Sequence, residues 1–421
     1  MPMKTKLPLL FALAIGPTTS QLPAADWPQY RGPNQDGTTA EKVLAAWPKE
    51  GPSVVWKAPL GPSFGSFAVS GGRAYCFIQR NAGGEEKEVA IALDATSGKE
   101  LWAVPLGKAT FDKQGGDGPR STPTVDGNRV YFLGAYQILT CLDAASGKQI
   151  WQHDLVKEYG GKIIKWNNAA SPVLEGDLIF VNGGGAGQAL LAFNKTDGKV
   201  VWKAEDDAPT HASPVLATIH GVRQVVFFTQ QGLVSVLPKT GKVLWRQAYK
   251  FNVSTASSPI VSGDIVYCSA AYDVGAGAYR ISKNGDNFTS AELWRQPGKL
   301  MNHWTTPVCK DGYLYGLYGH GKSDNAPLKC IELATGKEMW SKDGFGAGGA
   351  TVLVGDKVLV QCSRGALVLV EAKPEECREV ARAEVYAGQC WTMPVVSNGK
   401  VFGRTTKEGF CLNLAPQHAQ R

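Results

Sequence analysis

Nine residues stand out as groups that could bind or transform a ligand: Arg120, Trp166, Asn167, Asn168, His211, Asn302, His303, Trp304 and Trp391. One guanidinium, three amides, two imidazoles and three indoles can hydrogen-bond and stack on a polar ligand or a peptide. Each falls just ahead of a short apolar run opened by a small residue. The segments that carry them belong to the set 108–121, 157–170, 205–212, 249–257, 297–305, 343–349 and 386–392, which read as loops. The same groups could instead bond to neighbouring loops and close the space between them. His303 and His320 could meet as a metal pair, but two imidazoles without an assured carboxylate are a poor donor set. The acids on these loops are Asp112, Asp117, Glu158, Asp206 and Asp207.

A repeat must position these groups. Leu142-Asp143-Ala144-Ala145-Ser146-Gly147-Lys148-Gln149-Ile150-Trp151 recurs in close copies ending at Trp102, Trp202, Trp245 and Trp340. Asp143 or Asn194 can bend the chain by bonding a nearby backbone N–H, and Gly147 takes positive φ at little cost. This is hairpin chemistry, with a bulged loop joining antiparallel strands. The tryptophans at 56, 102, 151, 202, 245, 294 and 340 are 43–51 residues apart, and a degenerate copy over 380–385 lacks the indole.

A second signal runs out of phase with the first. Small residues precede Pro123, Pro172, Pro214, Pro259 and Pro307, and Met393 precedes Pro394, at the head of apolar runs, and two further copies, 66–69 and 350–353, lack the Pro. Proline is tolerated at the first residue of a strand because its missing N–H breaks no ladder there. Between these landmarks each unit reads as four short strands; in the second copy they are 122–125, 129–132, 138–142 and 149–153. Four strands per repeat of this length mark a propeller blade. The last copy supplies only three strands, and 53–58 offers the fourth from the other end of the chain. Pairing the two would close the ring and remove two open sheet edges. The expected fold is therefore all-β, an eight-bladed β-propeller of four-stranded antiparallel blades closed by an N-terminal strand.

Composition agrees. The chain has 421 residues, 49 Gly and 24 Pro, only 19% charged residues, and an ordinary apolar fraction that is regularly patterned, which argues against disorder. Residues 1–25 read as a secretory signal, with Lys4 and Lys6 before an apolar stretch too short to span a bilayer. The expected organisation is a signal peptide over 1–25, an extended segment over 26–52, the propeller over 53–415 and a tail over 416–421. The formal charge of +7 is spread around the ring by Lys99, Lys148, Lys199, Lys242 and Lys337, which does not read as a nucleic-acid surface. The nine cysteines lie mostly in apolar strands and read as core thiols. Gly344 to Gly349 matches Gly-x-Gly-x-x-Gly, but strands follow it, so a dinucleotide site is rejected. The longest insertion, 272–287 in the fifth blade, reads as a loop that could meet a partner.

The string Trp27-Pro28-Gln29-Tyr30-Arg31-Gly32-Pro33-Asn34-Gln35-Asp36-Gly37, followed by Gly-Lys-x-x-Trp repeats, resembles bacterial exported proteins with pyrroloquinoline-quinone-type (PQQ-like) β-propeller repeats, over about residues 26–415. The resemblance implies that Trp56, Trp102, Trp151, Trp202, Trp245, Trp294 and Trp340 dock between adjacent blades, Trp56 at the closure. It does not select an activity, because the family includes quinone-dependent alcohol dehydrogenases and a periplasmic scaffold of outer-membrane protein assembly. A dehydrogenase would need PQQ held by calcium, a catalytic carboxylate and adjacent cysteines. The sequence has no Cys-Cys pair and no evident carboxylate–amide set on successive loops. The expectation is a non-catalytic scaffold, exported to the periplasm or beyond, without cofactor, without a transmembrane segment and monomeric. It would bind a protein partner or polar ligand at the channel mouth. The alternatives are the PQQ enzyme and a carbohydrate-binding propeller that uses Trp166, Trp304 and Trp391.

Overall fold

A computed structural model describes residues 26–44, 47, 48, 50–250, 253, 255–319, 326–346 and 348–415. The signal reading over 1–25, the tail over 416–421 and His320 lie outside them. Eight antiparallel sheets form the ring. Blade one is Ala68–Ser70, Arg73–Ala82, Glu85–Asp94 and Glu100–Lys108, and blade two is Thr124–Asp126, Arg129–Leu133, Ile138–Asp143 and Gln149–Asp154. Blades three to seven follow in the same order. Blade eight combines Val395–Ser397, Lys400–Arg404 and Glu408–Asn413 with Val54–Pro59, and Trp56 lies opposite Cys411. The expected closure is therefore observed. The one α-helix among the described residues, Leu155–Tyr159, is capped by Asp154, and no described helix is long and apolar enough to cross a membrane. All nine cysteines are unpaired, and seven are buried.

The repeat turn works as its residue types suggest. Asp143 Oδ1 accepts from the Ser146 amide at 2.8 Å, and Gly147 has φ +73°. Six of the seven repeat indoles then donate into the next blade. Trp56 donates to Ala95 O at 3.0 Å, Trp102 to Ala144 O at 3.1 Å, Trp151 to Lys195 O at 3.2 Å and Trp202 to Pro238 O at 2.7 Å. Trp294 reaches Leu333 O at 2.8 Å and Trp340 reaches Lys373 O at 2.9 Å. The repeat glycine has a second role here. A Cβ at Gly198 would stand 2.8 Å from the Trp151 ring, and Gly98, Gly147, Gly241 and Gly336 meet an indole in the same way.

Two blades depart from this pattern. Trp245 donates within its own blade, to Gln224 Oε1 at 2.8 Å. The cause is the segment expected to be an inserted loop: it is an extended hairpin, Gly275–Asn284 paired with Asn287–Gln296. Ten-residue strands carry the turn at Gly285 away from the docking position, and open space surrounds that glycine. Its glycines do not break the strand; Gly275 lets the backbone pass close to Gln296 O. At the degenerate copy, Ala381 stands where the register puts the indole in other blades, and Ala383, two residues on, abuts Gly51 of the N-terminal segment.

That segment crosses the channel end where the innermost strands finish. Trp27 bridges Val69 of blade one, and Pro28 O accepts from the Val125 amide of blade two at 2.7 Å. Gln35 Oε1 accepts from the Leu216 amide of blade four at 2.8 Å. Arg31 is buried and donates to Thr306 O and Pro307 O of blade six, both at 3.0 Å, as well as to Gln35 O and Asp36 O. Thr38–Thr39 then adds a parallel strand to blade seven, and Glu41 accepts from the Asn398 and Gly399 amides of blade eight.

Two glycine substitutions separate backbone strain from the indole contact. Gly285→Ala, in open space at φ +59°, should cost about 1 kcal/mol for the left-handed conformation alone. Gly198→Ala adds an overpacked indole and should cost about 2–4 kcal/mol in total. Urea-unfolding midpoints followed by tryptophan fluorescence check the difference, and equal losses would show that the ring contact contributes nothing.

Candidate functional site

At the opposite end of the channel a cavity of about 680 Å³ opens between the loops that enter the innermost strands, with Tyr30 and Arg31 at its base. Of the nine residues expected there, Arg120, Trp166, His211, His303, Trp304 and Trp391 line it. The three amides stand outside the lining. Asn302 is fully buried, accepting from Tyr267 Oη at 2.7 Å and donating to Leu317 O at 2.9 Å. Asn168 donates to Ala170 O at 3.1 Å, and Asn167 closes a turn onto Ile164 O. These bonds hold the loops and leave the cavity to other groups.

The lining has three tiers. Small hydroxyl residues stand at the heads of the innermost strands. The Ser66 amide donates to Thr122 Oγ1, the Thr122 amide to Ser171 Oγ and the Ser171 amide to Ser213 Oγ, each at 2.9 Å, and the Ser258 amide to Thr306 Oγ1 at 3.0 Å. Each link ties one blade to the next. All four accepting hydroxyls line the cavity, and none donates a hydrogen bond among the described residues, so each retains an O–H donor.

Above them runs an aromatic collar. Phe64 stacks on Trp391 at 5.0 Å between centroids, Trp391 meets Trp304 at 4.5 Å, and Trp304 meets His303 at 4.4 Å. Tyr272 sits edge-on to His303 at 5.0 Å and nearly parallel to Trp166 at 6.1 Å. Trp166 and Tyr272 both adopt left-handed backbone, φ +66° and +58°, which costs a bulky L-residue roughly 1–2 kcal/mol. Such strain persists only where the surroundings impose it, and it clusters at functional sites. The Trp304 Nε1–H is buried without a partner.

Cations complete the rim. The Arg120 guanidinium lies 5.5 Å from the Phe64 centroid and is held by Gly118 O and Gly116 O. Lys165 Nζ lies 4.5 Å over Trp166. No carboxylate lines the cavity among the described residues. The nearest loop acids face inward to backbone, Asp112 accepting from Gln114 and Gly115 amides and Asp117 from the Asp112 amide. His211 donates to Lys165 O at 2.9 Å, and burial pushes its pKa down to about 4, so the ring is neutral at ordinary pH. No cluster of three or more His, Cys, Asp or Glu that could hold a metal occurs among the described residues.

Phe64, Lys165 and Tyr272 were missed in the sequence. Lys165 adjoins Trp166, and Phe64 stands ahead of the first copy in the phase occupied by Trp391, so both left a trace. Glu88 left none. It lies behind the 108–121 loop, accepts from Thr110 Oγ1 and the Ala135 amide, and burial raises its pKa to about 7.

A family model described as outer membrane protein assembly factor BamB matches residues 85–342. No curated protein matches the sequence significantly. Among solved structures, the quinohemoprotein alcohol dehydrogenase of Comamonas testosteroni aligns at 13% identity and TM-score 0.66, over 94% of this chain and 82% of that one. BamB from Moraxella catarrhalis aligns at 14% identity and TM-score 0.57, over 88% of this chain and 99% of that one. A computationally designed protein, Ika8, aligns at 12% identity and TM-score 0.54, over 89% of this chain and all of that one. Identities this low show a shared fold.

The two buried ionisable groups pull stability in opposite directions with pH. An unfolded His protonates near 6.5 and folded His211 only near 4, so this residue costs stability as pH falls through that window. Folded Glu88 keeps its proton up to about 7, whereas an unfolded Glu loses it near 4.5. Its contribution is full below about 4.5 and is lost as pH rises to about 7. Glu88→Gln should therefore match the parent at pH 5 and exceed it by about 1–3 kcal/mol at pH 8 in urea unfolding. A constant difference between the two pH values would refute the raised pKa.

Proposed function

The chain belongs to the PQQ-like propeller-repeat family described as outer membrane protein assembly factor BamB, and from that membership we propose that it is a non-catalytic, exported binding propeller whose cup takes a polar, anionic ligand, free or carried by a partner protein. The observation that carries this reading is the surplus of donors. The Thr122, Ser171, Ser213 and Thr306 hydroxyls and the cations Arg120 and Lys165 face one space, and no carboxylate among the described residues lines it; Asp112 acts on both cations from behind the lining. Free O–H groups beside two cations favour a ligand rich in oxygen acceptors, and charge-assisted bonds in a partly enclosed site are the stronger ones. The strained Trp166 and Tyr272 supply faces for the ligand body.

A calcium-held quinone does not fit the same residues. Calcium takes six to eight oxygen ligands with carboxylates prominent, and the described lining offers Gln114 as its only carboxamide and no acid. Cys390, next to Trp391, has no adjacent cysteine, and its Sγ accepts from Gln361 Nε2. No reaction step is therefore assigned.

Titration with sulfate, phosphate and glucuronate should quench the collar tryptophans saturably and raise the thermal midpoint. Lys165→Gln, a substitution on an exposed rim residue, should weaken the response by about tenfold, the loss of one charge-assisted bond of roughly 1.5 kcal/mol. An unchanged response in that variant would remove the cup as the binding site. Incubation with PQQ and calcium should give no dye-linked alcohol oxidation; turnover would overturn the non-catalytic reading.

A further inference from the structure

The cup is blind. Tyr30 and Arg31 of the N-terminal segment form its base, and that segment is bonded to blades one, two, four, six, seven and eight. Whatever enters through the mouth must leave through it. Phe64, Trp391, Trp304, His303, Tyr272 and Trp166 surround that mouth as a chain of ring contacts. Arg120 bridges the remaining gap: it lies over Phe64, and its Nη2 and the Trp166 ring both approach Gly115. A collar above a closed base admits the end of a chain and excludes an internal stretch, which needs two exits.

We propose that the ligand is the acidic end of an oligosaccharide, a terminal uronic-acid-type sugar inserted end-on. This rests on the reading of the cup as an anion site. Hydrogen-bond matching favours a sugar over a peptide. A peptide entering end-first brings an amide N–H at each residue, and each needs an acceptor. The described lining is donor-rich, with Gln114 its only carboxamide and no carboxylate. Sugar hydroxyls accept as readily as they donate, so they match the hydroxyls of Thr122, Ser171, Ser213 and Thr306.

The collar matches the other half of such a ligand. Trp391 stacks between Phe64 and Trp304, whose centroids lie 5.0 Å and 4.5 Å from its own, so the rings pack on one another and offer the entering sugar an apolar wall rather than a free stacking face. The terminal carboxylate would lie among the floor hydroxyls, within the field of Arg120 and of Arg31. Arg31 is hydrogen-bonded only to carbonyl oxygens, and the Asp36 carboxylate offsets its charge only through space. A cavity of about 680 Å³ falls in the range that encloses a small ligand, which limits contact to the first few units of a chain.

Calorimetric titration of the full chain with uronic-acid oligomers of one to six units tests this. Affinity should rise over the first two or three units, by about tenfold in total, and then level off. Methyl esters of the same oligomers, and neutral glucose oligomers, should bind at least about tenfold more weakly. A bulky label on one terminus should abolish binding, and the same label on the other should not. Trp304→Ala and Lys165→Gln should each weaken the trimer by about tenfold, with Lys165→Gln guarding against a Trp304 variant that fails to fold. Affinity that keeps rising with length, tolerance of a label at both ends, or hexaglutamate binding as tightly as hexauronate would overturn the proposal. If sulfate and glucuronate still quench the collar while the oligomers gain nothing over glucuronate, the end-on sugar falls and the anion site stands. If no anion binds, both fall.

Discussion

The structure depends on one contact made again and again: an indole on the outermost strand of a blade donating to a carbonyl in the turn of the next, with its ring against that turn's glycine. A four-stranded blade by itself has two open edges and one small apolar face. It becomes stable only when a neighbour covers it, so the inter-blade contact sets the spacing of everything else. The glycine is required twice over, by its left-handed backbone and by the ring that occupies the space of a Cβ. Where the contact fails, the chain supplies a local substitute. Gln224 receives the Trp245 indole when the blade-five turn moves outward, and Gly51 comes against Ala383 where no indole exists.

Eight blades held at this spacing leave a channel, and the chain closes one end of it with its own N-terminal segment. Arg31 is the pin. A guanidinium has five donors and no acceptor, so four backbone carbonyls can hold it without any carboxylate. The buried charge forms no salt bridge among the described residues, with Asp36 acting on it only through space, and it adds to the potential of the cavity above, where Arg120 and Lys165 lie at the rim. The same residue that closes the channel therefore contributes to what the cavity attracts.

The parts of this arrangement that were legible in the sequence are those fixed by local spacing. Gly-Lys-x-x-Trp sets the hairpin and the phase of the indole within a few residues, and three strands at one end with one at the other implied the closure at Trp56. Six mouth residues could be found because each closely precedes an inner strand, Arg120, His211, Trp304 and Trp391 by four residues. What escaped depends on distant contacts. Asn302 looked like a ligand group but is consumed by Tyr267 and Leu317. Glu85-Glu86-Lys87-Glu88 reads as a solvated charge run until blade two covers Glu88. Gly275 and Gly277 look like strand breakers, whereas inside a long hairpin Gly275 lets Gln296 O pass close and Gly277 leaves room for the Tyr279 and Arg295 side chains. Tyr30 and Arg31 were conspicuous as a motif, but nothing local says that they cross the ring.

The hydroxyl tier joins architecture to binding in a way that neither requirement explains alone. To link one blade to the next, a side chain need only accept a backbone N–H, and a carboxamide or carboxylate could do so as well. A carboxylate there would turn the cavity negative, and a carboxamide would present its own mixture of donor and acceptor. Serine and threonine accept the inter-blade bond with the oxygen and keep a rotatable O–H for the channel, so the belt that fastens Thr122, Ser171, Ser213 and Thr306 to their neighbours also lines the cavity with donors. The ring can thus carry the same floor beneath many different mouths. Selectivity then falls to the loops that bear Arg120, Trp166, Tyr272, Trp304 and Trp391, which can change without loosening the blades.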